Sequence, residues 1–443
     1  MNISYSSATC GVSSNITLSQ SGSAVDITPI CPSASSSCGG SGQFGTERYT
    51  YTGTLTLPAG CGNDWVLSWS VCCRNAAITT LNAPSNSSMY IEAQLDNTTV
   101  PCNSSPVFNN IPTPIVCNNQ PVLYNHGVTD PDGDSLVFSL VPCMQNNAAQ
   151  VSYGGGFSGA NPLATSTGVT INSVTGELSF TPNAVQIGVL CVLVEEYRGG
   201  VKIGEVVRDM QFNVISCSNA PPTASGINGT ADYDSTICVG QNFCFDVIGS
   251  DPNGDNVTLN WNGGIVGGIF TTVGNGTGGP VGTFCWTPTA ADIGTHFFTV
   301  TATDDACLVT GTNTYTYTIN VTLGATINAG ADDSFCEGTA GVGLNATGSA
   351  GGSYSWSPTT GLSCTNCPNP TANPNVTTTY TVTGAFPGGC VITDNVTVTV
   401  DPQPSVSVFP ANVDICPGGT AQLAANAPTA TGYAWSPGGG ATP

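Results

Sequence analysis

Gly282-Thr-Phe-Cys-Trp-Thr-Pro288 repeats, in altered form, the phrase Gly176-Glu-Leu-Ser-Phe-Thr-Pro182. Each copy runs on to an Ile-Gly pair, Ile187-Gly188 and Ile293-Gly294. Working outward, four cysteines open similar phrases: Cys117-Asn-Asn-Gln, Cys238-Val-Gly-Gln, Cys336-Glu-Gly-Thr and Cys416-Pro-Gly-Gly. Strand-like alternation follows each one. Further on, Ser355-Trp-Ser-Pro358 is echoed by Ala434-Trp-Ser-Pro437. Recurrence at this period means one supersecondary unit used serially, and the unit has the size of a β-sandwich. The expected fold is all-β: serial antiparallel β-sandwich modules, stapled by disulfides, behind a larger N-terminal β domain.

Composition narrows the function. Only five of 443 residues are Lys or Arg, against 27 Asp and Glu, and none of the five follows Arg208. Phosphate backbones and anionic membrane surfaces are read by clustered Lys and Arg, so nucleic acid is excluded as a partner. No stretch is long and apolar enough for a membrane-spanning helix, so no membrane insertion is expected. A net charge of −22 favours divalent cations. Twenty cysteines among so few charges indicate an oxidising, extracellular setting. Met1-Asn-Ile-Ser-Tyr5 lacks the basic start and apolar core of a signal peptide, and the chain stops soon after Trp435. Both suggest a segment of a longer secreted protein.

The expected boundaries are 1–105 for the N-terminal β domain, 106–217 and 218–323 for two repeat modules, 324–401 for a shorter third, and 402–443 for the start of a fourth. Expected strands include Tyr49–Leu57, Trp65–Val71 and Met89–Leu95 in the first region. The repeat suggests pairing Cys238 with Cys307 and Cys336 with Cys390. Cys244 then pairs with Cys285, and Cys364-Thr-Asn-Cys367 closes a local loop. Connectivity among Cys117, Cys143, Cys191 and Cys217 stays open.

Asp130-Pro-Asp-Gly-Asp134 sets carboxylates Asp130, Asp132 and Asp134 at alternate positions around a turn glycine. Such a set can converge on one hard cation, Ca2+ by preference. The second module repeats it as Asp251-Pro-Asn-Gly-Asp255. In a sandwich of this type, Glu195-Glu196 and Asp304-Asp305 lie in loops at the same end. Two acidic clusters are therefore expected to meet twice over, at the joints where preceding linkers arrive. The competing reading is that Asp-Gly and Asn-Gly are ordinary turn residues.

Catalytic chemistry finds no support. His126 and His296 both fall in expected strands, and no nucleophile or metal-hydrolase motif is present. Cys364-x-x-Cys367 lacks the following helix that a redox motif needs. Trp65 and Trp69 could stack a sugar, or they could pack the core.

Tyr354-Ser-Trp-Ser-Pro-Thr-Thr-Gly-Leu-Ser-Cys-Thr-Asn-Cys-Pro-Asn-Pro-Thr-Ala372, with Thr377–Thr383 and Gly389-Cys390, resembles the PKD-like and Ig-like modules of giant surface proteins of Bacteroidota. The Asp-Pro-Asp-Gly-Asp phrase with Arg208-Asp-Met-Gln-Phe212 resembles their cadherin-like modules. Trp69-Ser-Val-Cys-Cys-Arg-Asn-Ala-Ala77 resembles their N-terminal regions. The resemblance implies export by type IX secretion and a place in a cell-surface adhesin, gliding filament or prey-capture appendage. Homo-oligomeric bundling into a fibre is expected of a surface so poor in charge, with a cell-surface or glycan ligand as a further partner. The alternatives are a string of carbohydrate-binding modules, or the accessory region of a secreted enzyme.

Overall fold

A computed structural model of the chain describes residues 1–443 except 41, 43–44, 59–60, 113–114, 387–389, 429–431, 433 and 436–443. The described chain divides into two compact units, Met1–Val321 and Thr322–Pro443. Among the described residues every regular element is a strand or a three-residue 3-10 turn. The protein is all-β.

The second module is a two-sheet sandwich. One sheet runs Thr223–Ala224, Phe243–Ser250, Val281–Trp286, Ile269–Val273. The other runs Asp234–Cys238, Thr312–Thr322, Gly294–Asp304, Val257–Trp261. Alternation explains it. Phe245 and Val247 point inward from one strand, and Phe284 and Trp286 from its neighbour. Phe284 stacks on Phe298 at 4.4 Å between ring centroids, and Phe298 on Tyr317 at 5.0 Å. Cys244 and Cys285 sit directly opposite on the outer face and are bonded.

The first module centres on a long hairpin, Gln186–Arg198 with Val201–Ile215. Ser135–Val141 flanks it on one side, and Ile115–Cys117 runs parallel to it on the other. Val122–Asn125, Glu177–Phe180 and Thr170–Ile171 form a smaller sheet. Phe180 and Phe212 meet edge to face in the core, with Leu178, Leu190 and Val192.

The boundary expected at 105/106 does not separate two sheets. Val201–Ile215 is 15 residues long, and its first half offers an open edge. Met89–Leu95 pairs with that edge, Val206 opposite Ala93. Trp65–Val71, Asn2–Ser7 and Val12–Thr17 follow in the same sheet. An unpaired edge invites such addition. The strand expected over Tyr49–Leu57 shrinks to Tyr51–Thr52, paired with Ser19–Gln20.

The two repeat modules of this unit also touch side by side through polar groups. Asn110 Nδ2 donates to Thr299 Oγ1 at 3.0 Å, and Asn125 Nδ2 to Thr316 Oγ1 at 2.8 Å. Thr316 donates in turn to Glu177.

In the second unit, Asp333–Cys336, Val391–Asp401, Thr378–Ala385 and Ser353–Ser357 form one sheet over Trp356, Tyr380, Val382, Val396 and Val398. Trp356 Nε1 donates to Cys367 O at 2.9 Å, fixing the loop that Cys364–Cys367 closes. In residues 402–443, Ser407–Phe409 pairs with Ala424–Asn426. Ser436 and Pro437 of the repeated Trp-Ser-Pro phrase, and Gly389, lie outside the described residues.

Two expected disulfides are corrected. Cys307 bonds to Cys31, not Cys238. The segment before Cys31 lies along the loop after Asp304: Thr310 N donates to Pro29 O and Cys31 N to Leu308 O. Cys336 is an exposed free thiol and is not bonded to Cys390. Cys336 sits opposite Asp401, the last residue of the 11-residue strand Val391–Asp401, whereas Cys390 immediately precedes its first. A strand rises about 3.3 Å per residue, and a disulfide needs Cα atoms within about 7 Å. The open set resolves as Cys117–Cys217 and Cys143–Cys191. Near the N-terminus Cys10 pairs with Cys61, and Cys72 with Cys73.

Candidate functional site

Asp130 caps its own turn. Its Oδ1 accepts from Asp132 N at 2.9 Å and from Asp134 N at 3.0 Å. Gly133 holds φ +81°, a left-handed conformation that glycine adopts without strain. The result brings Asp130, Asp134 and Glu196 together, with one carboxylate oxygen of each within 4.8 Å of the others. Asp130 Oδ2 is buried and accepts no hydrogen bond among the described residues.

The second module reproduces this turn bond for bond. Asp251 Oδ1 accepts from Asn253 N at 2.7 Å and Asp255 N at 3.1 Å, and Gly254 sits at φ +86°. Asp251 Oδ2 is again buried without a partner among the described residues. Strand register fixes the remaining correspondence. Leu136 pairs with Glu196, and Val257 with Asp304. Glu196 and Asp304 therefore hold one position in two modules.

Sequence reasoning missed the linker asparagines. Asn103 Nδ2 donates to Glu196 Oε1 at 2.8 Å, and Ser104 N to Asp132 Oδ2 at 2.5 Å. Asn219 Nδ2 donates to Asp304 Oδ2 at 2.8 Å, and Ala220 N to Asn253 Oδ1 at 2.8 Å. The signal was present as Cys102-Asn-Ser-Ser-Pro106 and Cys217-Ser-Asn-Ala-Pro221, an asparagine between a cysteine and a proline.

Not every expected ligand joins. Adjacent strand residues face opposite ways, so Glu195 turns from the cluster and pairs with Lys202 at 2.7 Å. Asp305 is taken up by Asn256, whose backbone and side chain both donate to it and hold its carboxyl below the usual range. Asp304 accepts from Gly311 N and Ala306 N besides Asn219.

The electrostatics of the two centres differ. Arg198 grips Asp134 by both oxygens, Nε at 2.7 Å and Nη2 at 2.5 Å, and lowers its pKa. Glu196 is 1% exposed. Burial first, then the charges of Asp130 and Asp134, push its carboxyl up to about 7. In the second module burial, then Asp251 and Asp305, raise Asp255. In the first module oxygen donors alone, three of them converging carboxylates, with a buried uncommitted oxygen, fit a hard divalent cation. In the second module Asp251, Asp255 and Asp304 do not converge within the same distance.

The aromatic platform is not formed at Trp65, which is 0% exposed beneath Gly62. Trp69 is half-buried. His126 follows the strand Val122–Asn125, fully buried, and His296 lies in Gly294–Asp304 with its Nε2 on Asp292 O. Neither reaches an acidic centre by any hydrogen bond.

No known protein family matches the chain, and no curated protein does. Among solved structures it is similar to three Ig domains of titin, I67–I69, at 10% identity and TM-score 0.22, covering 65% of this chain and 95% of that one. It is also similar to Drosophila N-cadherin EC1–4 at 14% identity and TM-score 0.20, covering 75% and 92%. A third likeness is to the N-terminal eight Ig domains of Down Syndrome Cell Adhesion Molecule, at 12% identity and TM-score 0.23, covering 90% of this chain and 45% of that one. At such scores no role transfers from these strings of Ig and cadherin modules.

Proposed function

We propose that this chain is a non-enzymatic structural and adhesive segment of a long extracellular filament or stalk on a bacterial surface. Disulfides and Ca2+ stiffen it. The observation that carries the reading is the duplicated joint, in which an arriving linker asparagine bonds Glu196 or Asp304 and the next residue's N–H bonds the acidic turn. Asp130, Asp134 and Glu196 would hold one cation, and Asp251, Asp255 and Asp304 a second. A cation there joins linker to module through Asn103 or Asn219, so its effect is mechanical.

The surface of the second unit supports self-association. The outer face of the sheet in the second unit carries Thr379, Thr381, Thr383, Thr393, Asn395 and Thr397 on neighbouring strands, with the Thr379 and Thr397 hydroxyls 3.0 Å apart. These hydroxyls and amides are uncharged donors and acceptors that can bond between copies.

Calorimetric melts in millimolar calcium and in chelator test the joint. A higher melting temperature in calcium, reduced by Asp130→Asn and by Asp251→Asn, is the expected result. Identical melts would leave both turns as turns. Electron microscopy of the concentrated chain tests assembly, and fibres wider than one sandwich are expected.

A further inference from the structure

The two acidic centres differ at one position that matters. Arg198 lies two residues beyond Glu196, and the same step from Asp304 reaches Ala306. In the first centre Arg198 Nη2 donates to Asn103 Oδ1 at 2.9 Å and Nη1 to Cys102 O at 3.3 Å, besides its two hydrogen bonds to Asp134. The equivalent acceptors in the second centre are Asn219 Oδ1 and Asp255. Asn219 Oδ1 is buried and accepts nothing among the described residues. Where a guanidinium stands in one module, Ala306 opens a cleft of about 730 Å³ in the other, bordered by Asp255, Asn253 and Asn219. Val185 and Leu308, both exposed, flank it.

We propose that this cleft receives the guanidinium of Arg48 from a second copy of the chain. The sister centre shows what these positions bind: a planar fork that meets a carboxylate with two bonds. In the cleft Asp255 offers that carboxylate, whereas Asn219 Oδ1 is fully buried and would be reached only after side-chain movement. Val185 and Leu308 would cover the aliphatic stem. Charge bookkeeping within the chain selects the donor. Arg74 is bonded to Asp209, Arg198 to Asp134, and Lys202 to Glu195 and Glu205. Arg208 is half-buried over the Phe108 ring and beside His126. Arg48, on the short strand Glu47–Arg48, is exposed and makes no ion pair among the described residues. The inference rests on the self-association proposed above and names its contact. It draws on Asp255 and leaves to a cation Asp251, whose Oδ2 is unpartnered among the described residues.

Sedimentation velocity of the whole chain over a concentration series, with free thiols capped by iodoacetamide, tests this. The wild type should sediment faster as concentration rises. Arg48→Glu should shift association to at least tenfold higher concentration. Ala306→Arg should do the same by filling the cleft from within, and should raise the melting temperature, which separates blocking from misfolding. Association that persists unchanged in both variants overturns this contact while leaving self-association standing. A wild type that stays monomeric throughout overturns both.

Discussion

Arg74 donates to both carboxylate oxygens of Asp209, and both side chains are 3% exposed. The pair locks the N-terminal region to the central hairpin of the first module. Arg74 also donates to Ser88 O and Met144 O, so each of its three nitrogens is engaged. Burial raises the Asp209 pKa against the opposing pull of Arg74. Removing one partner strands a buried charge, which costs about 3–5 kcal/mol, whereas replacing both by apolar residues is often neutral. Arg74→Met should lower unfolding free energy in urea by that amount, and Arg74→Met with Asp209→Leu should recover most of it. A cost below about 1 kcal/mol for the single change would show the pair to be more hydrated than its burial implies.

The all-β class and the strands at Trp65–Val71 and Met89–Leu95 were legible because alternation is local. The acidic turns were legible because Asp-Pro-Asp-Gly-Asp and Asp-Pro-Asn-Gly-Asp specify their own geometry. The shared sheet was not legible: nothing in Val201–Ile215 states how far it outruns its sandwich or what pairs with the surplus edge. Glu195 was misplaced because two adjacent acids look equivalent until a strand assigns them to opposite faces. Cys307 was mispaired because the repeat cannot report that Pro29–Cys31 crosses to the loop of another module. The linker asparagines were visible as letters and lacked a partner until register joined Leu136 to Glu196.

Glu196 should make stability pH-dependent in one direction. Its folded pKa, about 7, lies above the ordinary value of 4.5. The folded state then binds the proton more tightly, so stability falls as pH rises from the unfolded value through the folded one. In chelator, melting temperature should drop between pH 5 and pH 7.5. Calcium needs the carboxylate charged, so saturating calcium should remove the drop, and Glu196→Gln should flatten it without calcium. A flat profile for the wild type in chelator would contradict the burial and charge crowding at this carboxyl.

Trp65 should report on folding and not on sugar binding. It is fully buried, with the Tyr5 ring 6.3 Å away. Truncating a buried Trp costs about 3–5 kcal/mol. Trp65→Ala should therefore lower denaturant stability by that order and leave any glycan-array signal of the surviving folded protein unchanged. Specific loss of glycan binding at wild-type stability would return the residue to the surface.

The Cys31–Cys307 bond should be found directly. Trypsin has only five Lys and Arg sites in the whole chain, so peptic digestion of the thiol-capped, unreduced protein is the practical map. It should yield a cross-linked peptide pair containing Cys31 and Cys307, and a capped peptide containing Cys336. The bond spans 276 residues, and loss of a native disulfide typically costs about 2–5 kcal/mol, more for longer loops in the chain-entropy account. Cys31→Ser should therefore destabilise the first unit more than Cys244→Ser, whose bond spans 41 residues. Because Cys31 and its neighbours also hydrogen-bond the 308–310 loop, its loss should expose that loop to protease before the rest of the unit unfolds. A Cys238–Cys307 peptide in the map would instead restore the pairing that the repeat suggests and free Cys31 from this role.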